Sequence, residues 1–179
     1  MIQPHIVAIG GTTRPQSTTG RALEAALRIA EERGARTTML TGEAISFANF
    51  DPDALDSGPA VARFLAVVRE ADGIVIGSPG YHGTLSGLIK NALDHLELTS
   101  RDERVYFTDM PVGLVATAAG WQAAVTTLTA MRGIVHALRG WPTPLGIAIN
   151  SIDGIEVVAR AEPQIAAMVG QMLDFLKRR

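Results

Sequence analysis

Five hydroxyl side chains and one arginine crowd into Thr12-Thr13-Arg14-Pro15-Gln16-Ser17-Thr18-Thr19, directly behind Gly10 and Gly11. These residue types suit a phosphate dianion. Hydroxyls donate to its oxygens, and Arg14 adds a charge-assisted contact that can be bidentate. A short apolar run, His5 to Ile9, precedes the loop, and a helical pattern begins near Gly20. The loop therefore falls at a helix N-terminus, where unpaired amides carry partial positive charge. An ordinary strand–helix turn needs one hydroxyl as its cap, and this loop exceeds that need. Gly10 and Gly11 are expected to let the backbone turn and approach the ligand. The loop has neither Gly-x-x-x-x-Gly-Lys-Ser/Thr nor Gly-x-Gly-x-x-Gly, so it indicates neither Walker-type hydrolysis nor a dinucleotide lying along this turn.

Two further loops have unusual chemistry. In Ser78-Pro79-Gly80-Tyr81-His82-Gly83-Thr84, Pro79 restrains the chain, and Gly80 and Gly83 remove bulk. Backbone amides there can lie against a flat ligand. Tyr81 offers an aromatic face and a hydroxyl, or simply packs. His82 contacts the ligand, meets a second substrate or is solvated. In Thr117-Ala118-Ala119-Gly120-Trp121-Gln122, tiny residues fit either close ligand approach or tight internal packing. Trp121 either shields the pocket or packs at a subunit boundary.

The elements that must position these loops alternate along the chain. Strand-like runs occupy Ile6–Ile9, Thr37–Leu40, Gly73–Gly77, Val112–Thr117 and Leu145–Ile149, and helical patterns occupy Gly20–Arg33, Pro59–Glu70, Leu85–Leu98, Gln122–Arg139 and Ala161–Lys177. Such alternation argues for an α/β protein with a parallel sheet between helices. Five strands favour a three-layer flavodoxin-like arrangement, order 2-1-3-4-5, with ligands beyond the carboxyl ends of the strands. The 179 residues suit one domain over 1–179, with no repeat or linker. The longest irregular segment, Thr41–Gly58, with Phe47, Phe50, Asp51, Asp53 and Asp56, covers the site, forms an oligomer contact or is a surface excursion.

Composition narrows the function classes. A formal net charge of −2 argues against a broad nucleic-acid surface or a polybasic membrane anchor. The absence of cysteine excludes disulfides, thiolate metal sites and a cysteine nucleophile. His5, His82, His95 and His136 are dispersed without metal-ligand spacing, so no metal is expected. No signal or spanning segment is evident, and a cytoplasmic protein is expected.

Gly11-Thr12-Thr13-Arg14-Pro15-Gln16-Ser17 resembles the Gly-Ser-x-Arg-x-x-Ser phosphate loop of the NADPH-dependent FMN reductase family. Ser78 to Gly83, followed by Ser86-Gly87-Leu88-Ile89-Lys90-Asn91-Ala92-Leu93-Asp94, resembles that family's second signature. The resemblance covers about residues 5–178 and implies non-covalent FMN, NADPH or NADH as hydride donor, and a homodimer or homotetramer. It implies that Thr12, Arg14, Ser17 and Thr19 hold the phosphate. Pro79, Gly80, Tyr81 and His82 would line the ring, with Thr117 and Gly120 approaching from the third loop. The family often has Asn at His82 and Pro at Ser86, and serine there resembles the sulfonate-utilisation branch, which supplies reduced flavin to a monooxygenase. Lys90 and Asp94 form either a solvated i,i+4 pair or an intersubunit contact.

Hydride transfer to FMN needs orientation and electrostatics from the protein, and no catalytic acid, base or nucleophile is assigned. The acceptor is free flavin, a quinone, an azo compound or a similar small molecule. Two other classes remain: a flavodoxin-type carrier without efficient NAD(P)H oxidation, and a phosphate-ligand binding module without flavin. Near-neutral charge and Arg14 argue against the carrier. Arg14, Arg101 and Arg104 are candidates for an NADP phosphate.

Overall fold

A computed structural model describes residues 3–14, 16–54, 58–154 and 156–178. Pro15 and Asp56 lie outside the described residues. The chain runs β1 (His5–Gly10), α1 (Thr18–Glu32), β2 (Arg36–Leu40), α2 (Gly58–Glu70), β3 (Gly73–Tyr81), β4 (Thr84–Leu85), α3 (Gly87–Asp94), β5 (Pro111–Ala118), α4 (Trp121–Ala137), β6 (Trp141–Pro142), β7 (Ile147–Asn150) and α5 (Val157–Lys177). Side-chain hydroxyls start two of the helices: Ser17 Oγ accepts from the Gly20 N–H at 3.0 Å, and Ser86 Oγ from the Ile89 N–H at 3.3 Å. The cap at Ser86 shortens the helix expected over Leu85–Leu98, which passes into a 3-10 turn at His95–Thr99. The last helix starts at Val157, ahead of the expected Ala161, and accommodates Pro163 internally.

β1 pairs in parallel with β2 and β3, β3 with β5, and β5 with both β6 and β7. The expected five strands in the order 2-1-3-4-5 are corrected. Among the described residues the sheet has seven strands, β2-β1-β3-β5-β6, with β7 also on β5 and β4 on β3. Two local events cause the difference. Trp141 and Pro142 pair with Pro111 and Val112, whereas pairing resumes only at Val115 opposite Ile147. Between them the chain loops out, held by Thr143 Oγ1 donating to the Leu145 carbonyl and by Arg132 donating to the carbonyls of Thr143 and Pro144. At the other place β3 continues past the sheet and turns back antiparallel, with Gly80 opposite Leu85 and Tyr81 opposite Thr84.

Alternate residues of the strands feed two cores. Val7, Ile9, Ile74, Ile76 and Leu114 pack with α2, α3 and α4 on one face. Ile6, Ala8, Val75 and Val115 pack with α1 and α5 on the other. The second face approaches more closely, because glycine stands where a side chain would point at a helix. A Cβ on Gly10 or Gly77 would lie 2.7 or 2.9 Å from Leu23 of α1, and one on Gly113 would lie 2.9 Å from Met172 of α5.

His5 at the start of β1 is buried, with Nε2 2.8 Å from Thr38 Oγ1 and Nδ1 3.3 Å from the Glu70 carbonyl. Burial first, and Arg36 second, hold its imidazole below the ordinary histidine range, against opposing contributions from Glu70 and Asp72. The neutral ring is therefore the folded form. The stability it contributes is complete above the unfolded pKa and is lost as pH falls through the lower folded value. Thermal unfolding followed from pH 7.5 to 5.5 is expected to show a larger decline for the native chain than for His5→Gln.

Candidate functional site

The loops behind β1, β3 and β5 meet at the carboxyl edge of the sheet around a recess of about 500 Å³. Thr12, Arg14, Ser17 and Thr19 form one wall, Pro79, Gly80 and Tyr81 the second, and Thr117, Ala118 and Ala119 the third. Gln16, Thr18 and Ser151 complete the lining. Eight of the ten residues expected at a cofactor site are thus brought together. Among the described residues no carboxylate lines the recess, and Arg14 is its single charged residue.

The first loop is set by packing beneath it. A Cβ on Gly11 would meet Ile89 Cγ1 and Ser86 Oγ of the α3 region. Gly10 is closed off by Leu23 and Thr41. Both glycines therefore admit neighbouring side chains of the fold, which corrects the expectation that they admit a ligand. The Gly11 N–H donates to the Gly77 carbonyl at 2.8 Å, and Ser86 Oγ donates to the Gly11 carbonyl at 3.1 Å. The Ser86 N–H in turn donates to Ser78 Oγ at 2.9 Å, tying the second loop to the first. Ser86 is thus a buried cap and brace, and its identity is explained without reference to a subclass.

Hydrogen-bond accounting shows what remains available to a ligand. Thr12 Oγ1 accepts from the Arg14 N–H at 3.1 Å, and Ser17 Oγ accepts its capping bond, so each hydroxyl retains a proton to donate. Thr19 and Thr117 are buried, with their oxygens 2.6 Å apart. One of their two protons joins them and the other is left over. The first amides of α1 have no carbonyl within the helix to reach. Arg14 is exposed, and its guanidinium makes no hydrogen bond or ion pair with a described residue. Together these donors form a set matched to a phosphate.

Two expected residues lie outside the lining. His82 is exposed, with φ 52°, beside Gly83 with φ 91°. They are the central pair of the two-residue β3–β4 hairpin, and positive φ at both is the signature of a type I′ turn. Asparagine and glycine are favoured in that turn, so the position is explained by backbone geometry. Gly120 has φ 117° and precedes α4, and its N–H donates to Asn150 Oδ1 at 2.7 Å. Gly80, inside the recess, is constrained from behind: a Cβ there would sit 2.5 Å from Thr127 Oγ1, itself buried with no partner among the described residues.

Other expectations resolve by position. Arg104 donates to the carbonyls of Val68, Arg69 and Ala71, at the end of α2 and the opposite edge of the sheet. Arg101 adjoins Asp102, which pairs with Arg69 at 2.7 Å in the same region. Of the three arginines considered for an NADP phosphate, Arg14 alone lines the recess. Lys90 and Asp94 form an exposed 2.7 Å pair. Asn91 accepts from the Phe50 N–H and donates to the carbonyls of Phe47 and Ala48, fastening the long connection against α3 and away from the recess. Sequence reasoning missed Ser151 and Asn150; the signal was a polar pair directly behind an apolar strand, at the edge where ligands bind. Among the described residues no group of three or more His, Cys, Asp or Glu could hold a metal ion, and no helix is long and apolar enough to cross a membrane.

Fold and recess together define a flavodoxin-like α/β protein. A flavodoxin from Pseudomonas aeruginosa superposes with a TM-score of 0.66 at 11% identity, covering 94% of this chain and 99% of that one. An oxidoreductase from Corynebacterium diphtheriae reaches 0.76 at 18% identity, covering 99% and 98%. FerB, a flavoenzyme NAD(P)H:(acceptor) oxidoreductase from Paracoccus denitrificans, reaches 0.77 at 15% identity, covering 98% of each chain. At these identities the likeness concerns the fold. Residues 4–153 match the NADPH-dependent FMN reductase family, and the chain belongs to it. An FMN-dependent NADPH-azoreductase of Staphylococcus saprophyticus is 38% identical over 117 residues, 61% of this chain and 58% of that protein. A Staphylococcus aureus protein of the same name is 40% identical over 83 residues, 46% of this chain and 40% of that protein. The chain thus aligns with little more than half the length of the first of these relatives, and with less of the second.

Two outcomes test the local geometry. Thr19→Val strands the Thr117 hydroxyl in a buried position and is expected to lower stability by about 1–3 kcal/mol in urea unfolding. His82→Asn is expected to preserve stability, whereas Gly83→Ala loses about 1–2 kcal/mol, because only the first keeps a residue suited to positive φ.

Proposed function

We propose that this chain is an NAD(P)H-dependent FMN reductase, working as one FMN-binding domain over residues 1–179. The observation that carries the reading is the recess itself: hydroxyls, helix amides and Arg14 converge there, and among the described residues no carboxylate opposes an anion. Its volume falls in the range of cofactor sites. Thr12, Arg14, Ser17 and Thr19 hold the phosphate of FMN. Pro79, Gly80, Tyr81 and Thr117 line the flat ring, while His82 and Gly120 shape the two loop ends that bound it. When bound, FMN supplies the capacity to take a hydride from NADPH or NADH and to pass electrons onward.

The protein's part is orientation. The rigid Pro79–Gly80 segment fixes one wall, and the Thr19–Thr117 pair locks the phosphate loop to the third loop. The onward acceptor is a quinone, an azo compound or a similar small molecule, and the names of the staphylococcal relatives support the azo class. Free reduced flavin delivered to a monooxygenase is the alternative route. The proposed setting is the cytoplasm and the proposed assembly a homodimer or homotetramer, with no nucleic-acid or membrane partner. A formal charge of −2 suits an enzyme acting on small molecules better than a strongly acidic electron carrier.

NADPH oxidation by flavin-stripped protein, followed while FMN is titrated, tests the proposal. Saturation near one FMN per chain, with further oxidation only on adding a quinone, indicates a bound flavin serving an external acceptor. A continued rise into excess FMN indicates release of reduced flavin. FMN binding without NADPH consumption assigns the chain to the carriers instead. Arg14→Ala is expected to weaken FMN binding by about 1.5–3 kcal/mol, read by quenching of flavin fluorescence.

A further inference from the structure

Where the loops behind β5 and β7 end, two large apolar side chains stand in solvent: Trp121 is 56% exposed and Ile152 70%. Val125, one helical turn beyond Trp121, is exposed as well. Apolar groups gathered beside a concave site mark a place that something covers. Their positions are set by one buried oxygen. Asn150 Oδ1 accepts from the Gly120 N–H at 2.7 Å and makes a longer, 3.5 Å contact with the Ile152 N–H. The Asn150 amide nitrogen donates to Asp153 Oδ1 at 2.8 Å, which fixes which end of the amide faces the two loops. A backbone bond from the Ser151 N–H to the Ala118 carbonyl, 2.8 Å, runs alongside.

Asn150 Oδ1 thus reaches the amide just before Trp121 and the amide of Ile152 itself, which brings the two backbone segments together. The residues just inside them, Ala118, Ala119 and Ser151, line the large recess. Trp121 itself walls a separate, smaller recess of about 180 Å³, together with Asn150 and Asp153. Trp121 and Ile152 thus lie within two residues, along the chain, of Ala119 and Ser151 in the lining of the proposed flavin site.

We propose that Asn150 is a positioning residue that holds Trp121 and Ile152 as a rim selecting flat, uncharged aromatic acceptors over small charged ones. The inference rests on the reading of the recess as a flavin site. For a naphthoquinone, NADPH supplies a hydride and solvent a proton, giving NADP⁺ and the hydroquinone. For ferricyanide, two ions each take one electron, giving NADP⁺, a proton and two ferrocyanides. Only the first acceptor offers a broad apolar face to the rim.

FMN-loaded protein and its variants are compared at saturating NADPH with 1,4-naphthoquinone and with ferricyanide, and binding of redox-inert 2-naphthol is measured by calorimetry. Trp121→Ser and Ile152→Ser are expected to lower kcat/KM for the quinone about tenfold. The ferricyanide value and FMN affinity stay within about twofold. Binding of 2-naphthol weakens in parallel with the quinone loss. Asn150→Ala copies both losses and speeds hydrogen exchange at the Gly120 and Ile152 amides. Asn150→Asp combined with Asp153→Asn keeps the acceptor and reverses the donor, and restores discrimination. Equal losses with both acceptors, or none, overturn the proposal. So does a fall in solution mass in the rim variants, which assigns the rim to a contact between copies of the chain. If the native protein binds FMN but consumes no NADPH, the reductase reading fails, while 2-naphthol binding still decides the rim.

Discussion

Leu23 rests in the hollow left by Gly10 and Gly77, and that contact sets the geometry of everything at the carboxyl edge of the sheet. The leucine lies in the second turn of α1, so its descent onto bare backbone draws the N-terminal end of the helix down beside β1 and β3. The loop that carries Thr12, Arg14, Ser17 and Thr19 has little freedom once its two ends are placed. Gly73 at the start of β3 and Gly113 of β5 admit Met172 of α5 in a similar way. On this face side chains such as Ile6, Val75 and Val115 alternate with bare backbone at Gly10, Gly77 and Gly113 that helix side chains approach directly. Interiors at native density do not deform continuously, so this close face acts as a rigid seat for the recess.

Above that seat the loops are braced to one another more than to their own strands. Ser86 reaches Gly11, Ser78 reaches Ser86, Thr19 reaches Thr117, and Asn150 reaches Gly120. Each brace uses a small polar side chain, and in the Thr19–Thr117 pair one hydroxyl proton is left over for a ligand. Preorganisation of this kind allows a site to bind an anion without first reordering its donors. The same bonds account for residues that look functional in the sequence and are structural in the fold.

Strand–helix alternation is legible in the sequence because apolar spacing differs sharply between the two, and the phosphate-type loop is legible because its composition exceeds what a helix cap requires. The third loop is legible only as a run of tiny residues at a strand end. Gly10 and Gly11 show the limit of such reading. Their lack of a side chain serves Leu23 and Ile89, which lie at least a dozen positions away along the chain. His82 is similar, since a turn of positive φ leaves no periodic trace and the histidine resembles a reactive residue until its backbone is seen. β6 escapes notice because Trp141 and Pro142 form too short a run. Ser151 escapes because its role comes from the edge pairing of β7, which composition does not report.

The pairing of Asn150 with Ser151 also bears on how the protein ages. An asparagine followed by a small residue is prone to deamidation, in which the next backbone nitrogen attacks the side-chain amide and closes a five-membered imide. Here that nitrogen is engaged with the Ala118 carbonyl, and the amide it would attack is buried and bonded on both sides. The native arrangement therefore shields its own most vulnerable bond. Local opening at the end of β7 removes the shield, and the resulting carboxylate would face Asp153 across the former hydrogen bond. Chemical lifetime at this position is set by how often one strand end breathes.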